Sequence, residues 1–275
     1  MITYKYLFVN YFYFRLTNYG FLYIILFGIF IFSEKLMKIK AILFDLDGTL
    51  LPMDQDTFIS AYLGGLVGLL SPLGYDKAKV KDALWASTRA MMTNNGEITN
   101  EERFWQSFSA VLGEDIRNHS EHFDRFYKEE FCKLKPTCGY NPRAKEIVEL
   151  ARSSGARVIL ATSPLFPGIA TEMRMGWTGL APDDFEHFTT YENSRYCKPN
   201  PIYYTNLIAE LGLAPDECVM IGNDVGDDMV AETVGIRCFL LTDYLINIKN
   251  VDINQFRHGD YTELERFIKE IINEN

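Results

Sequence analysis

Cysteine and histidine are scarce in this chain, and basic residues are outnumbered by acidic ones. Its 275 residues hold five cysteines, four histidines, and 27 Lys+Arg against 37 Asp+Glu, for a net charge of -10. Cys132, Cys138, Cys197, Cys218 and Cys238 are odd in number and form no Cys-x-x-Cys pair. That argues against a thiolate zinc site and a fully paired disulfide framework, and for reduced structural thiols in the cytoplasm. His119 and His122 stand three apart with no thiolate pair or His-Glu motif beside them, which is too little for zinc. The acidic balance argues against nucleic acid as a partner, because such proteins rely on basic patches. After Lys38 there is no internal repeat and no low-complexity tract.

Acids are missing from the beginning of the chain. Residues 1–32 contain Lys5 and Arg15, are dense in Tyr and Phe, and hold no Asp or Glu. The apolar run over 19–32 is shorter than the roughly 17 to 25 residues of a transmembrane helix. No small-residue cleavage pattern follows it, which argues against a secretory signal. Met37 stands directly before Lys38, Ile39 and Lys40, where the first strand is predicted. We read residues 1–36 as a hydrophobic leader, translated upstream of a start at Met37, with a membrane tether as the alternative. A membrane is expected as a partner only through residues 1–36, and the catalytic part is expected in the cytoplasm.

What is present is a set of polar residues at the ends of apolar runs. The run over 42–44 ends in Asp45 and Asp47, followed by Gly48 and Thr49. Carboxylates are rarely fully buried without a partner. If the strand ends at Asp45, its carboxylate points into the crevice and Asp47 curls over it on the loop that Gly48 permits. The run over 158–161 ends in Thr162 and Ser163, Lys198 precedes Pro199, and the run over 218–222 leads into Asn223, Asp224, Asp227 and Asp228. Each has a plain alternative: an Asp-Gly turn, a helix N-cap, a surface lysine, a solvated acidic loop. Their order, each at a predicted strand's C-terminal end, favours a site, because open α/β sheets bind ligands at that edge.

These residues resemble the haloacid dehalogenase-like hydrolases. The first motif of that family, Asp-x-Asp-Gly-Thr, is matched by Asp45 to Thr49. Its second, a hydroxyl after a strand, is matched by Thr162. Its lysine, often followed by proline, is matched by Lys198, and its acidic pair by Asp224 and Asp228. The resemblance covers Lys38 to the end of the chain. Asn223 stands where many members run directly from Gly to Asp, which leaves Asp227 and Asp228 both open as the second acid.

The organisation that follows is an α/β fold, a three-layer Rossmann-like parallel sheet core with an inserted all-helical cap domain. Residues 37–53 and 136–275 are expected to form the core. Strands are predicted at 157–161, 185–191, 218–221 and 237–241, alternating with helices at 142–153, 167–175, 201–211, 227–234 and 261–272. Residues 54–135 read as helices over 57–70, 76–92, 100–112 and 119–134 with no strand between them. The aromatic residues of the last, Phe123, Phe126, Tyr127 and Phe131, suit a core stripe.

The resemblance implies a Mg²⁺-dependent phosphohydrolase acting on a small phosphorylated metabolite through an aspartyl phosphate. Asp45 is then the nucleophile and Asp47 the general acid and base. Thr162, Ser163 and Lys198 would bind the phosphate, with Thr162 and Lys198 also serving catalysis. Asp45, Asp47, Asp224 and Asp228 would form the metal site. An acidic protein with an anionic substrate needs such a cation. A phosphomutase of the same superfamily shares every one of these motifs. A dehalogenase has no need of the acid at Asp47. A non-catalytic membrane-associated protein would leave a costly cluster of carboxylates idle.

Overall fold

The computed structural model describes residues 39–274, and the leader over 1–36 lies outside the described residues. Six strands form one sheet: β1 (Ala41–Phe44), β2 (Arg157–Leu160), β3 (His187–Phe188), β4 (Cys218–Gly222), β5 (Arg237–Leu241) and β6 (His258–Gly259). Their order is β3-β2-β1-β4-β5-β6, and every pairing is parallel. The chain winds outward from β1 in one direction and then from β4 in the other. The β1/β4 boundary is therefore the point where strand order reverses and the strand ends leave a crevice.

Alternation along the strands builds the layers. Ile42, Phe44, Val158, Leu160, Val219, Ile221, Phe239 and Leu241 enter one apolar cluster with helices Pro142–Ser153 and Tyr261–Glu274. Ala41, Leu43, Ile159, Cys218, Met220, Cys238 and Leu240 enter another with helix Pro201–Glu210. Strands covered on both faces read as continuous apolar runs, which is why they stood out in the sequence. Each fully buried Leu, Ile, Val or Phe contributes roughly 1.5–3 kcal/mol. The expected three-layer parallel architecture is the one observed.

Between β1 and β2 the chain is helical, with helices Gln55–Leu70, Lys77–Met92 and Asn100–Leu112. Asp54 and Asp76 cap the first two through Thr57 N–H and Lys79 N–H, and Thr99 with Glu102 forms a capping box on the third. Gln55–Leu73 is long and apolar enough to cross a bilayer. Its Phe58, Leu66 and Leu70 nevertheless sit in the same apolar cluster as the sheet. The insertion leaves and returns through a bridge between Met53 and Cys138, with Gly139 N–H donating to Pro52 O at 2.7 Å.

Three elements differ from expectation. The helix expected over 119–134 is broken into 3₁₀ turn Glu114–His119, helix Ser120–Arg125, π turn Phe126–Glu130 and 3₁₀ turn Phe131–Thr137. Phe131 N–H reaches back to Phe126 O. The wide turn sets Phe131 one turn after Phe126, and both are buried together with Phe123. The helix expected over 227–234 is a 3₁₀ turn, Met229–Val234, because Asp228 is held back toward the sheet. β6 has two residues and so no alternating pattern to detect.

Candidate active site

Asp45 directly follows β1, and its N–H continues the ladder by donating to Ile221 O at 2.9 Å. The next residues fold into a tight turn. Thr49 N–H and Leu51 N–H both reach Leu46 O, at 3.2 and 2.8 Å, and Gly48 N–H reaches Leu51 O at 2.8 Å. Gly48 has φ +88°, and a Cβ there would lie 2.3 Å from Asn223 Nδ2. A side chain is excluded twice, by conformation and by space.

Asn223, the departure from the usual Gly-Asp sequence, fills that space. Its Oδ1 accepts from Thr49 Oγ1 at 2.9 Å and its Nδ2 donates to Tyr244 O at 2.7 Å. It ties the β1 turn to the loop after β4. On the far side Tyr261 O–H donates to Thr49 O.

Lys198 is the centre of the cluster. Its Nζ donates to Asp45 Oδ1 at 2.8 Å and to Asp228 Oδ1 at 2.6 Å, with Lys198 and Asp228 wholly buried. Burial works to lower the lysine, but Asp228 and Asp45 more than offset it and hold the ammonium well above its ordinary range. Asp228 Oδ2 accepts from Asp224 N–H at 2.9 Å. Gly222 makes this possible, since a Cβ there would sit 2.1 Å from Asp228 Cγ. Asp224 Oδ1 in turn accepts from Gly226 N–H at 2.6 Å and Asp227 N–H at 3.0 Å. Burial, then the charges of Asp224 and Asp45, push Asp227 up to about 6 against the pull of Lys198.

Thr162 and Ser163 reach the same edge by sheet register. β2 pairs β1 in step, and Ala161 N–H donates to Phe44 O at 2.7 Å. The Thr162 carbonyl accepts from Thr189 Oγ1 at 2.6 Å and Tyr203 O–H at 3.0 Å, which fixes the loop. Thr162 is buried and Ser163 half-buried.

Asp47 is on the β1 turn but has its own partner. Its Oδ2 is paired with Arg174 Nη1, from helix Gly168–Trp177, and Arg174 is wholly buried. Burial raises the Asp47 carboxyl above its ordinary range; Arg174 opposes this and Asp45 adds to it. Sequence reasoning missed Arg174. The available signal was periodicity: Ala170, Thr171, Arg174 and Met175 share the buried face of the helix, so the charge stands on the apolar stripe.

The donors available to a cation are the carboxylates of Asp45, Asp224 and Asp227. Among the described residues no three acid, His or Cys side chains are already gathered at metal distance. Mg²⁺ fits such a set in kind, since it keeps several waters and takes one or two carboxylates together with substrate phosphate. The charges of Asp224 and Asp45, which add to burial in raising Asp227, also suit a cation. Both oxygens of Asp228 are engaged, by Lys198 and by the Asp224 backbone. None of the five cysteines is paired.

Residues 39–235 match the family profile described as haloacid dehalogenase-like hydrolase. The phosphoglycolate phosphatase of Vibrio vulnificus is 28% identical over 212 residues, 74% of this chain and 84% of that protein. The Bacillus subtilis protein YhcW is 27% identical over 124 residues, 45% of this chain and only 54% of its own length. The HAD phosphatase from Thermococcus onnurineus shares the fold, with a TM-score of 0.53 at 21% identity over 83% of this chain and 97% of that one. With 39–235 matched and the four expected positions at one sheet edge, the chain belongs to the haloacid dehalogenase-like hydrolase family.

Proposed function

We propose that the protein is a Mg²⁺-dependent phosphohydrolase of small phosphorylated metabolites that works through a phosphoaspartate at Asp45. The observation that carries this is the buried Lys198 ammonium, 2.8 Å from Asp45 and 2.6 Å from Asp228. An aspartate that attacks a phosphate dianion needs such a charge beside it, to offset repulsion as the two anions approach. A purely structural ion pair would need neither a second acid two residues on nor hydroxyls at the next strand end.

Asp45 attacks phosphorus as the bond to the leaving oxygen breaks, and Asp47 gives that oxygen its proton. Asp47, now ionised, takes a proton from water as the water oxygen attacks the phosphoaspartate, which releases phosphate and restores Asp45. The raised Asp47 carboxyl supports the first role. Thr162 and Ser163 bind phosphoryl oxygens, and Lys198 balances charge on nucleophile and phosphoryl group. Asp45 and Asp224 would hold Mg²⁺, with Asp227 as the further acid, since Asp47 is paired with Arg174 and both oxygens of Asp228 are engaged. When bound, Mg²⁺ supplies the positive charge that brings carboxylate and phosphate together. Asp228 serves this arrangement by holding Lys198 and the Asp224 backbone.

The helices over 54–135 serve as the cap. Tyr62, Trp105 and Tyr127 of that segment line a cavity of about 420 Å³ with Leu165, Pro167 and Tyr191. That volume suits a small metabolite. The cavity begins two residues past Ser163 and is not lined by Asp45, Asp47, Asp224 or Asp227, so it would take the organic part of the substrate. Residues 39–274 are proposed to act in the cytoplasm, consistent with five unpaired thiols.

The test is release of inorganic phosphate from a panel of phosphorylated metabolites, beginning with 2-phosphoglycolate because the Vibrio relative bears that activity in its name. Turnover of at least one compound with Mg²⁺, and none in excess chelator, is expected. Isomerised phosphate ester without free phosphate would instead identify a mutase and contradict the proposal.

A further inference from the structure

Arg174 and Lys198 are the two buried basic side chains among the described residues. Lys198 is absorbed by the proposed chemistry; Arg174 is not. A guanidinium out of water demands a carboxylate, and any carboxylate would meet that need. Here it takes Asp47, the acid two residues beyond Asp45.

Arg174 is itself fixed on three sides. Its Nε donates to Ala170 O at 3.3 Å, its Nη2 to Thr171 Oγ1 at 3.3 Å, and its Cζ lies 4.3 Å from the Phe166 ring centroid. Thr171 and Ala170 belong to the same helix, and Phe166 lies on the loop from β2. A planar guanidinium held this way can transmit orientation, where a flexible ammonium could not. At the other end the two Asp47 oxygens are unequal. Oδ2 is paired with Arg174, while Oδ1 is buried and has no hydrogen-bond partner among the described residues. A buried acceptor left in this state is costly, so it points to a function.

We infer that Arg174 is a positioning residue that anchors Asp47 through Oδ2 and thereby leaves Oδ1 as the oxygen that exchanges a proton with the leaving group. The inference rests on the acid role proposed for Asp47. It adds no chemical step, because the proton still passes from Asp47 to the departing oxygen. It assigns which oxygen carries that proton and what holds it in place.

The test uses the full chain with Mg²⁺ and two probes on one aromatic skeleton. Phenyl phosphate has a poor leaving group that needs an acid, and 2,4-dinitrophenyl phosphate has a good one that does not. First-turnover release of the phenol is measured for wild type, Asp47→Asn, Arg174→Met and Arg174→Lys. In Arg174→Met, release from phenyl phosphate should fall about 100-fold, the lower end of what a positioned acid contributes. Release of 2,4-dinitrophenol should fall by less than about threefold, and KM should hold within the same factor. Arg174→Lys, which keeps the charge, should show the same contrast at about tenfold. It stands in for the Met variant if thermal melting shows that one unfolded. Equal losses on both probes would mean a structural role only and overturn the inference, as would no loss on either. Absence of the contrast in Asp47→Asn would overturn the acid role itself. Its presence there and absence in the Arg174 variants would overturn only this inference.

Discussion

Two buried cations divide the aspartates of the β1 turn between them, and they do so differently. Lys198 reaches residues that follow β1 and β4 and joins two carboxylates from distant parts of the chain, Asp45 and Asp228. Arg174 approaches from a helix, stacks near Phe166, and takes the one carboxylate of Asp47. A compact ammonium with rotatable donors suits balancing charge between anions, and a planar fork suits holding one group in a fixed orientation. The comparison separates a site that manages charge at Asp45 from one that manages geometry at Asp47.

The largest expected effect lies on the Asp45 side. Asp45→Asn should retain the fold and lose turnover, since the amide cannot act as nucleophile. Steady-state phosphate release above about a tenth of wild type, a loss under roughly 1.4 kcal/mol, would contradict the assignment. Lys198→Met comes next. It leaves Asp45 and Asp228 uncompensated, and urea unfolding should show a loss of about 3–5 kcal/mol along with activity. Adding Asp228→Asn to that variant should return part of the stability and none of the activity. Recovery of both would mean that Lys198 is only a structural counter-ion.

The link between the two halves of the turn is Asn223. Asn223→Ala removes its bonds to Thr49 Oγ1 and Tyr244 O. A stability loss of about 1–3 kcal/mol is expected by denaturant titration, with a partial loss of kcat as the turn loosens. An unchanged midpoint would show that Gly48 and the backbone hold the turn unaided.

The smallest effect is one of pH. Asp227 rises from 3.8 to about 6 in the folded protein. Folding therefore retains a proton that the unfolded chain releases near pH 4. The stabilisation is present below about pH 4 and is lost as pH rises through about 6, a change of ~1–3 kcal/mol. Melting temperatures in chelator across that window should fall with pH, and Asp227→Asn should flatten the slope. A slope unaltered by the substitution would place the retained proton elsewhere in the cluster.

The contrast between the cations also explains what could be read from the sequence. Asp45, Thr162, Lys198 and Asp224 each stand beside an apolar run or a proline, so local pattern marked them and a parallel sheet brought them together. Arg174 sits mid-helix, where an arginine ordinarily faces water, and only its phase relative to Ala170 and Thr171 betrayed it. Asn223 read only as a departure from the family pattern, because the partners that explain it, Thr49 and Tyr244, are distant in sequence. The π turn over Phe126–Glu130 was invisible for a similar reason: tertiary burial of Phe131, and no local signal, widens the helix there. β6 was too short to carry any periodicity.

The central claim is a covalent phosphoaspartate at Asp45. Wild-type protein mixed with a turned-over phosphate ester and Mg²⁺ should be quenched in acid during the first turnover, and its peptides mapped by mass spectrometry. Phosphate is expected on the peptide containing Asp45, and none in Asp45→Asn. Phosphate release at the wild-type rate with no modified Asp45, or with the label on another residue, would contradict it.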